Sequence, residues 1–291
     1  MKDKIIKYAK ELNIEYIGVA PVMRYRDLRE KLEKKHKLYG TSQFEEKDIA
    51  KRCDPHITYP WAKSIIVCLF PYYTGEDENS NISKYARIPD YHNVAKEKLT
   101  EICDYIKKEQ SEVRTECFAD TGVLHDRHLA YLAGLGFEGK NTLLINEKYG
   151  TYFFIGYIIT DLELECDNTQ DIKCKMCNRC IANCPGRALD GEFLDCEKCV
   201  SYITQLKEIT EEQRAILKNQ DKVYGCDKCQ DVCPHNENPV ATPIEEFYEK
   251  RVVNLDKNEL LGMSNKEFQE KYGDFPFSWR TKAVILKNFD K

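Results

Sequence analysis

Several features are missing from this chain, and each absence narrows what it can be. No apolar run in its 291 residues approaches the ~20 needed to cross a bilayer. The opening MKDKIIKYAKELNIEYIGVA has no apolar signal region and no twin-arginine leader, so the expected location is cytoplasmic, with no membrane partner. Cytosolic thiols stay reduced, which makes a disulfide framework a poor account of the fourteen cysteines. Internal repeats and low-complexity stretches are absent. A positive balance is absent too: the formal charge is −5, so a nucleic-acid partner must be met by a local basic patch rather than by the whole-molecule field. Residues 24–37, RYRDLREKLEKKHK, are one such patch, although a solvated amphipathic helix carries the same pattern.

What is present is cysteine in a particular order. Eight cysteines fall into two runs, Cys174-x2-Cys177-x2-Cys180-x3-Cys184-Pro185 and Cys199-x26-Cys226-x2-Cys229-x3-Cys233-Pro234. Thiolates two residues apart on a turning backbone reach different corners of one iron–sulfur cubane, while the Cys before Pro is carried away to the other cluster. The expected sets are Cys174, Cys177, Cys180 and Cys233 for one four-iron four-sulfur cluster, and Cys184, Cys226 and Cys229 with a fourth ligand for the other. That fourth ligand is Cys199 or Cys196, and spacing leaves both open. Zinc also uses C-x2-C pairs, but zinc ribbons rarely carry three cysteines at two-residue gaps followed by Cys-Pro twice over. Of the remaining cysteines, Cys68 in AKSIIVCLF and Cys103, at helical spacing with Ile102 and Ile106, read as core packing.

The length gives room for about two domains. At 42% hydrophobic and 32% charged, the chain can bury a core and stay in solution. Residues 1–165 alternate between helical and strand patterns. IEYIGVA, AKSIIVCLF, EVRTECFA and TYFFIGYIIT read as strands, and helices are expected over about 93–109 and 127–135. Residues 166–240 are organised by cysteine, and 241–291 form a short helical C-terminal segment. Thr210 with Gln213 and Ser264 with Glu267 are expected capping boxes. Trp279, Ala283, Ile285, Leu286 and Phe289 are expected to form the apolar face of a last helix. The fold class is α+β.

A ferredoxin needs no 165-residue domain ahead of its clusters, so the N-terminal domain is expected to hold the electron acceptor. AGLGFEGKN, residues 133–141, is a glycine-rich turn where missing side chains let a flat or anionic ligand approach, or simply let the chain turn. It is neither a Walker loop nor a dinucleotide fingerprint.

RCDP (52–55), AKS, YAR-x2-DYH (85–92), DTG (120–122), AGLGFEGKN, TLLI, FFIGYIITD, both cysteine runs and GCDKCQDVCP together resemble the epoxyqueuosine reductase family, the cobalamin-dependent iron–sulfur enzymes of queuosine biosynthesis. The likeness covers almost the whole chain. It implies a nitroreductase-like, corrinoid-binding N-terminal domain, followed by a ferredoxin-like domain whose two clusters reduce the corrinoid to its strongly nucleophilic form. The epoxide of epoxyqueuosine at the tRNA wobble position would then lose its oxygen as water, leaving an alkene. Cys199-Val200-Ser201-Tyr202 matches the family segment that supplies a cluster ligand, which favours Cys199 over Cys196. Asp120 matches the general acid, although Asp120-Thr121-Gly122 by itself is equally an Asx turn. Arg52, Tyr85, Asp90, Tyr91, His92, Lys140, Asn141 and Ser201 are the expected cobalamin neighbours, with no histidine on cobalt. Asp126-x-His128 resembles the start of a cobalt-binding histidine motif, but Tyr131 stands where that motif has glycine, so His128 is read as a helix residue.

Val123, Asp126 and Phe137 replace the family's usual Pro, Glu and Trp. Many members continue into helical repeats that help hold tRNA, and in this chain that region is expected to be essentially missing. A low-potential ferredoxin or flavodoxin is the expected electron donor. Two rival functions share these features: a cobalamin-dependent reductase of another electrophile such as an organohalide, and a non-enzymatic electron carrier or reductive activator.

Overall fold

The computed structural model describes residues 1–77 and 79–290; residue 291, the end of the C-terminal segment, lies outside them. In chain order the α-helices and strands are α1 (Lys2–Glu11), β1 (Ile17–Pro21), α2 (Arg26–Tyr39), α3 (Ile49–Cys53), α4 (Pro55–Thr58), β2 (Ser64–Pro71), α5 (Tyr91–Glu109), β3 (Thr115–Ala119), α6 (Asp126–Leu132), β4 (Phe137–Glu138), β5 (Leu144–Ile145), β6 (Phe153–Thr160), α7 (Arg179–Ala182), α8 (Val200–Ile203), α9 (Glu211–Leu217), α10 (Lys228–Asp231), α11 (Lys257–Gly262), α12 (Asn265–Tyr272) and α13 (Lys282–Lys287). They divide into two compact units. The first is Met1–Pro71, His92–Gly139 and Leu143–Lys175; the second is Tyr72–Tyr91, Lys140–Thr142 and Met176–Lys291.

The first unit is built on a four-stranded sheet in the order β1-β2-β6-β3, antiparallel at every pairing. All eight residues of β2 are buried, which is why SIIVCLFP reads as an unbroken apolar run rather than an alternating one. Ile65, Val67 and Leu69 share a core with Leu28 and Leu32 of α2 and Leu129 and Ala130 of α6. On the opposite face, Leu99 of α5 and Phe70 lie against Gly156, which leaves no room for a β-carbon there. Period-two alternation puts Cys68 on this second face, fully buried as core packing requires. Each fully buried Ile or Leu of this kind contributes roughly 1.5–3 kcal/mol. The four expected strands are all formed, and the helices expected over 93–109 and 127–135 run Tyr91–Glu109 and Asp126–Leu132.

In the second unit the helices are short, because cysteine spacing rather than helical periodicity sets the chain path. α7 and α10 each lie inside one cysteine run and pack together. α8 packs on α9 through Val200, Ile203 and Leu217. A larger core gathers Ile82, Tyr224, Phe268, Phe277 and Ile285. Both expected capping boxes form, Thr210 with Gln213 and Ser264 with Glu267. The expected last helix is corrected: α13 buries Val284 and Ile285, Ala283 is exposed, and Phe289 lies beyond its end. Trp279 belongs to a separate 3-10 turn, Pro276–Trp279, and is 53% exposed, because Arg280 and Thr281 are extended and break the helical face before α13 begins.

Candidate active site and cluster cysteines

Asp120 leaves the end of β3 with φ +59, a left-handed conformation that non-glycine residues adopt mainly as Asp or Asn and that costs of order 1–3 kcal/mol. Its side chain is 62% exposed, and its Oδ2 lies 3.4 Å from Nε2 of His92, the second residue of α5. Two elements adjacent in space, the start of α5 and the end of β3, thus bring a carboxylate and an imidazole together at a solvent-open point. Gly122 closes the loop against β6: a β-carbon added there would fall inside the hydroxyl of Tyr157, a fully buried residue.

The loop then enters α6. His125 caps the helix, its Nδ1 accepting the His128 N–H at 3.2 Å. Burial, reinforced by Arg127 and Arg52, holds His125 well below the ordinary imidazole value, so it caps as a neutral acceptor. Asp126 goes the other way: burial and the Asp120 carboxylate push it up to about 8. His128 is a helix residue, as expected, with its ring edge-on to Tyr25 at 5.1 Å.

The other expected cobalamin neighbours have identifiable partners within their own units. In the first unit, Arg52 Nη1 donates to Glu45 Oε2 at 2.8 Å, and Lys35 joins the same carboxylate. In the second unit, Tyr85 packs on Tyr224 with ring centroids 6.2 Å apart, and the Asp90 N–H donates to the Asp274 carbonyl at 2.7 Å. Tyr91 opens α5, and Asn141 is buried. Lys140 Nζ donates to Asn178 Oδ1 at 2.8 Å, inside the first cysteine run. Ser201 directly follows Cys199 and Val200, its carbonyl accepting from Thr204 and Gln205.

The glycine-rich segment serves the chain rather than a ligand at two of its positions. Gly134 has φ +71, and a β-carbon on it would strike the carbonyl of Asn168. One on Gly136 would strike the carbonyl of Ile145. Of the two uses the sequence allowed, tight packing is the one realised at these glycines.

None of the fourteen cysteines is joined to another by a disulfide among the described residues. Burial pushes Cys199 up to about 12 and Cys226 up to about 11, and raises Cys229 well above the ordinary thiol value. The neighbours that add to the Cys229 shift are Cys199, Cys226 and Cys184, so these four sulfurs lie within electrostatic reach of one another. Cys196, three residues before Cys199, adds to the Cys199 shift. Backbone N–H groups point at these sulfurs: Ala188 donates to Cys184 at 3.2 Å, Tyr202 and Ser201 to Cys199, and Lys228 to Cys226. Buried thiols keep their protons unless a bound cation replaces them, and N–H···S bonds stabilise the resulting thiolates. This donor set fits a cubane. Around the first run, Met176 and Asn178 take positive φ, turning successive peptide groups between Cys174 and Cys180, while Cys180 and Cys233 are buried.

Sequence reasoning passed over three features of the first unit. The burial of Asp126 carries no sequence signal, and neither does the contact between Tyr157 and Gly122, which is set by strand register. Cys117 is hydrogen-bonded to Cys103, which lowers the Cys117 thiol while raising that of Cys103.

Paired C-x2-C runs with buried, N–H-bonded thiols define a double-cluster iron–sulfur protein, and residues 173–236 match the family of 4Fe-4S double cluster binding domains. Residues 52–121, which carry Arg52, His92 and Asp120, match the family of epoxyqueuosine reductase QueG, DUF1730. An epoxyqueuosine reductase of Lactococcus garvieae is 36% identical over 99% of this chain and 85% of its own length. The structure of an epoxyqueuosine reductase with an epoxyqueuosine-modified tRNA-Tyr stem loop superposes with TM-score 0.88, at 33% identity over 99% of this chain and 79% of that one. A Bacillus subtilis epoxyqueuosine reductase whose catalytic aspartate loop is swung out of the active site superposes with TM-score 0.89, at 32% identity over 99% of this chain and 79% of that one. The chain belongs to the epoxyqueuosine reductase family and is an oxidoreductase of that type, which sets aside the electron-carrier reading. Among the described residues no helix is long and apolar enough to cross a membrane.

Proposed function

We propose that this protein reduces epoxyqueuosine to queuosine in tRNA, using cobalamin and two four-iron four-sulfur clusters, with Asp120 as the acid that protonates the departing epoxide oxygen. The observation that carries the proposal is the pairing of Asp120 with His92 on a solvent-open loop, in a chain that also gathers cubane-type thiols. A carboxyl at the open end of a strand can reach a bulky nucleoside, and the imidazole beside it fixes its orientation. Cys184, Cys199, Cys226 and Cys229 are proposed for one cluster, supported by their mutual electrostatic reach, and Cys174, Cys177, Cys180 and Cys233 for the other. When bound, cobalamin would supply the strongly reducing nucleophile that the epoxide carbon requires. Arg52, Tyr85, Asp90, Tyr91, His92, Lys140, Asn141 and Ser201 are the residues proposed as its neighbours.

Surface chemistry supports an RNA substrate. Arg280 stacks over the exposed Trp279 ring at 3.8 Å from its centroid. Burial, with Arg214 and Arg280 nearby, lowers Lys287 to about 8. Aromatic and guanidinium planes beside a cluster of cations suit splayed bases and phosphate. Lys287 also donates to the Leu206 carbonyl, and Lys282 to the carbonyls of Leu260 and Met263. The α2 patch is weaker support, because Arg29, Lys31 and Lys35 are paired with Glu33, Glu138 and Glu45. The first-line test is Asp120→Asn in reconstituted, cobalamin-loaded protein. It should retain eight irons' worth of cluster and the cobalamin spectrum yet lose turnover at least ~100-fold, within the usual range for a general acid. Unchanged turnover would remove Asp120 as the acid.

A further inference from the structure

The 3-10 turn Pro276–Trp279 is anchored from inside the second unit. Pro276, Phe277 and Ser278 are buried, and Phe277 meets the rings of Phe275, Tyr272 and Tyr224 at centroid separations of 5.5, 5.6 and 6.1 Å. The Ser278 hydroxyl donates to the Gly273 carbonyl at 3.1 Å, and the Ser278 carbonyl accepts from Gln269 Nε2 at 3.0 Å. A turn fixed this way holds its last residue in place. That residue is Trp279, which the turn presents to solvent.

A single exposed indole is ordinary on a protein surface. This one is also oriented. Its Nε1 donates to the Tyr224 hydroxyl at 3.0 Å, and that hydroxyl faces Gln205 Oε1 at 3.2 Å and the Pro276 carbonyl at 3.3 Å. The Arg280 guanidinium covers one face of the ring, 3.8 Å from its centroid. With one edge bonded and one face covered, a residue still 53% exposed turns its other face to water. A rigid flat face backed by a guanidinium fits a flat partner that carries negative charge, which describes a nucleobase on its phosphate backbone. We propose that Trp279 is the stacking platform for one unpaired base of the tRNA anticodon loop, with Arg280 holding the indole from behind. The inference rests on the tRNA reductase activity proposed above, and it names the residue that seats the RNA.

The platform's place within the second unit points to the loop rather than the stem of that arm. Tyr224, which holds the indole edge, also packs on Tyr85, a proposed cobalamin neighbour, with ring centroids 6.2 Å apart. One buried side chain thus stands between the platform and that neighbour, so a base seated on Trp279 belongs to a nucleotide near the one that reacts. Stacking of this kind tolerates any base, because every base has a flat face. It would hold the loop open without reading its sequence.

The test measures the affinity of the cluster-loaded full chain for an anticodon stem-loop RNA, either intact or carrying an abasic nucleotide at each loop position in turn. Trp279→Leu is expected to weaken binding of the intact RNA ~5- to 100-fold, the range for one stacked base. Trp279→Tyr, which keeps a ring, should recover most of that loss, and iron content and melting temperature report folding. The slope of log Kd against log salt should stay as in wild type, since no phosphate contact is lost. One abasic position should weaken wild type by a similar factor and have no further effect on Trp279→Leu. Unchanged affinity in a folded Trp279→Leu, abasic effects that add to the substitution at every position, or a loss carried by a shallower salt slope would each overturn the proposal. A wild type that converts epoxyqueuosine-containing tRNA while giving any of those results leaves the activity standing and this inference refuted. A wild type that neither binds the RNA nor converts the tRNA overturns the activity, and this inference with it.

Discussion

Gly122 sits so close to the hydroxyl of Tyr157 that no side chain can replace its hydrogen, and this contact seats the loop that carries Asp120 on the central sheet. Gly122→Ala should therefore push the loop off β6, with a stability loss of about 1–3 kcal/mol typical of overpacking. Turnover should fall more steeply than stability. Tyr157→Phe in the same chain removes the clashing oxygen and should recover part of both losses, measurable as a coupling energy in a double-mutant cycle. Additive effects would show that the contact does not position the loop.

Cluster ligation can be read from iron content. Cys199→Ala should lose the iron of one cubane, about half of the total, because Cys199 stands among Cys184, Cys226 and Cys229. Cys196→Ala should keep both clusters. The reverse outcome would exchange the two cysteines.

Gly134 is predicted to matter for packing rather than for ligand approach. With φ +71 and the Asn168 carbonyl in the way, Gly134→Ala should cost at least ~1 kcal/mol. A chain of this size would show that as a drop of roughly 2–4 °C in melting temperature. An unchanged melting temperature together with weakened cobalamin binding would restore the ligand-approach reading.

Cys117 should be the reactive thiol of the first unit. The hydrogen bond it receives from Cys103 favours its thiolate, so it ionises at lower pH than an ordinary cysteine. Iodoacetamide labelling at pH 7, followed by peptide mass mapping, should modify Cys117 well ahead of Cys103 and the buried Cys68. In Cys103→Ser the pH midpoint of labelling should move upward.

Much of this was legible from residues alone, for physical reasons. Apolar runs such as SIIVCLFP specify buried strands, and Thr210 with Gln213 specifies a helix start, because each signal is local. The cysteine pattern is legible because cubane geometry is written directly into spacing. Asp120 was identified only through the family likeness, since an Asp-Thr-Gly turn has the same sequence with or without chemistry. What stayed hidden depends on tertiary register. Tyr157 meets Gly122 only because β3 and β6 pair as Phe118 with Tyr157, and Asp126 differs from any other helix-opening acid only through burial beside a second carboxylate. Trp279 misled for the converse reason: its spacing fits a helix face, but two extended residues separate it from α13.

The most direct measurement is anaerobic turnover. Reconstituted protein, cobalamin, a low-potential reductant and tRNA containing epoxyqueuosine would be incubated, and the digested nucleosides weighed by mass spectrometry. The account predicts loss of one oxygen atom from the modified nucleoside, dependent on both clusters and on cobalamin. An unchanged nucleoside, with both clusters intact and cobalamin reduced, would contradict it.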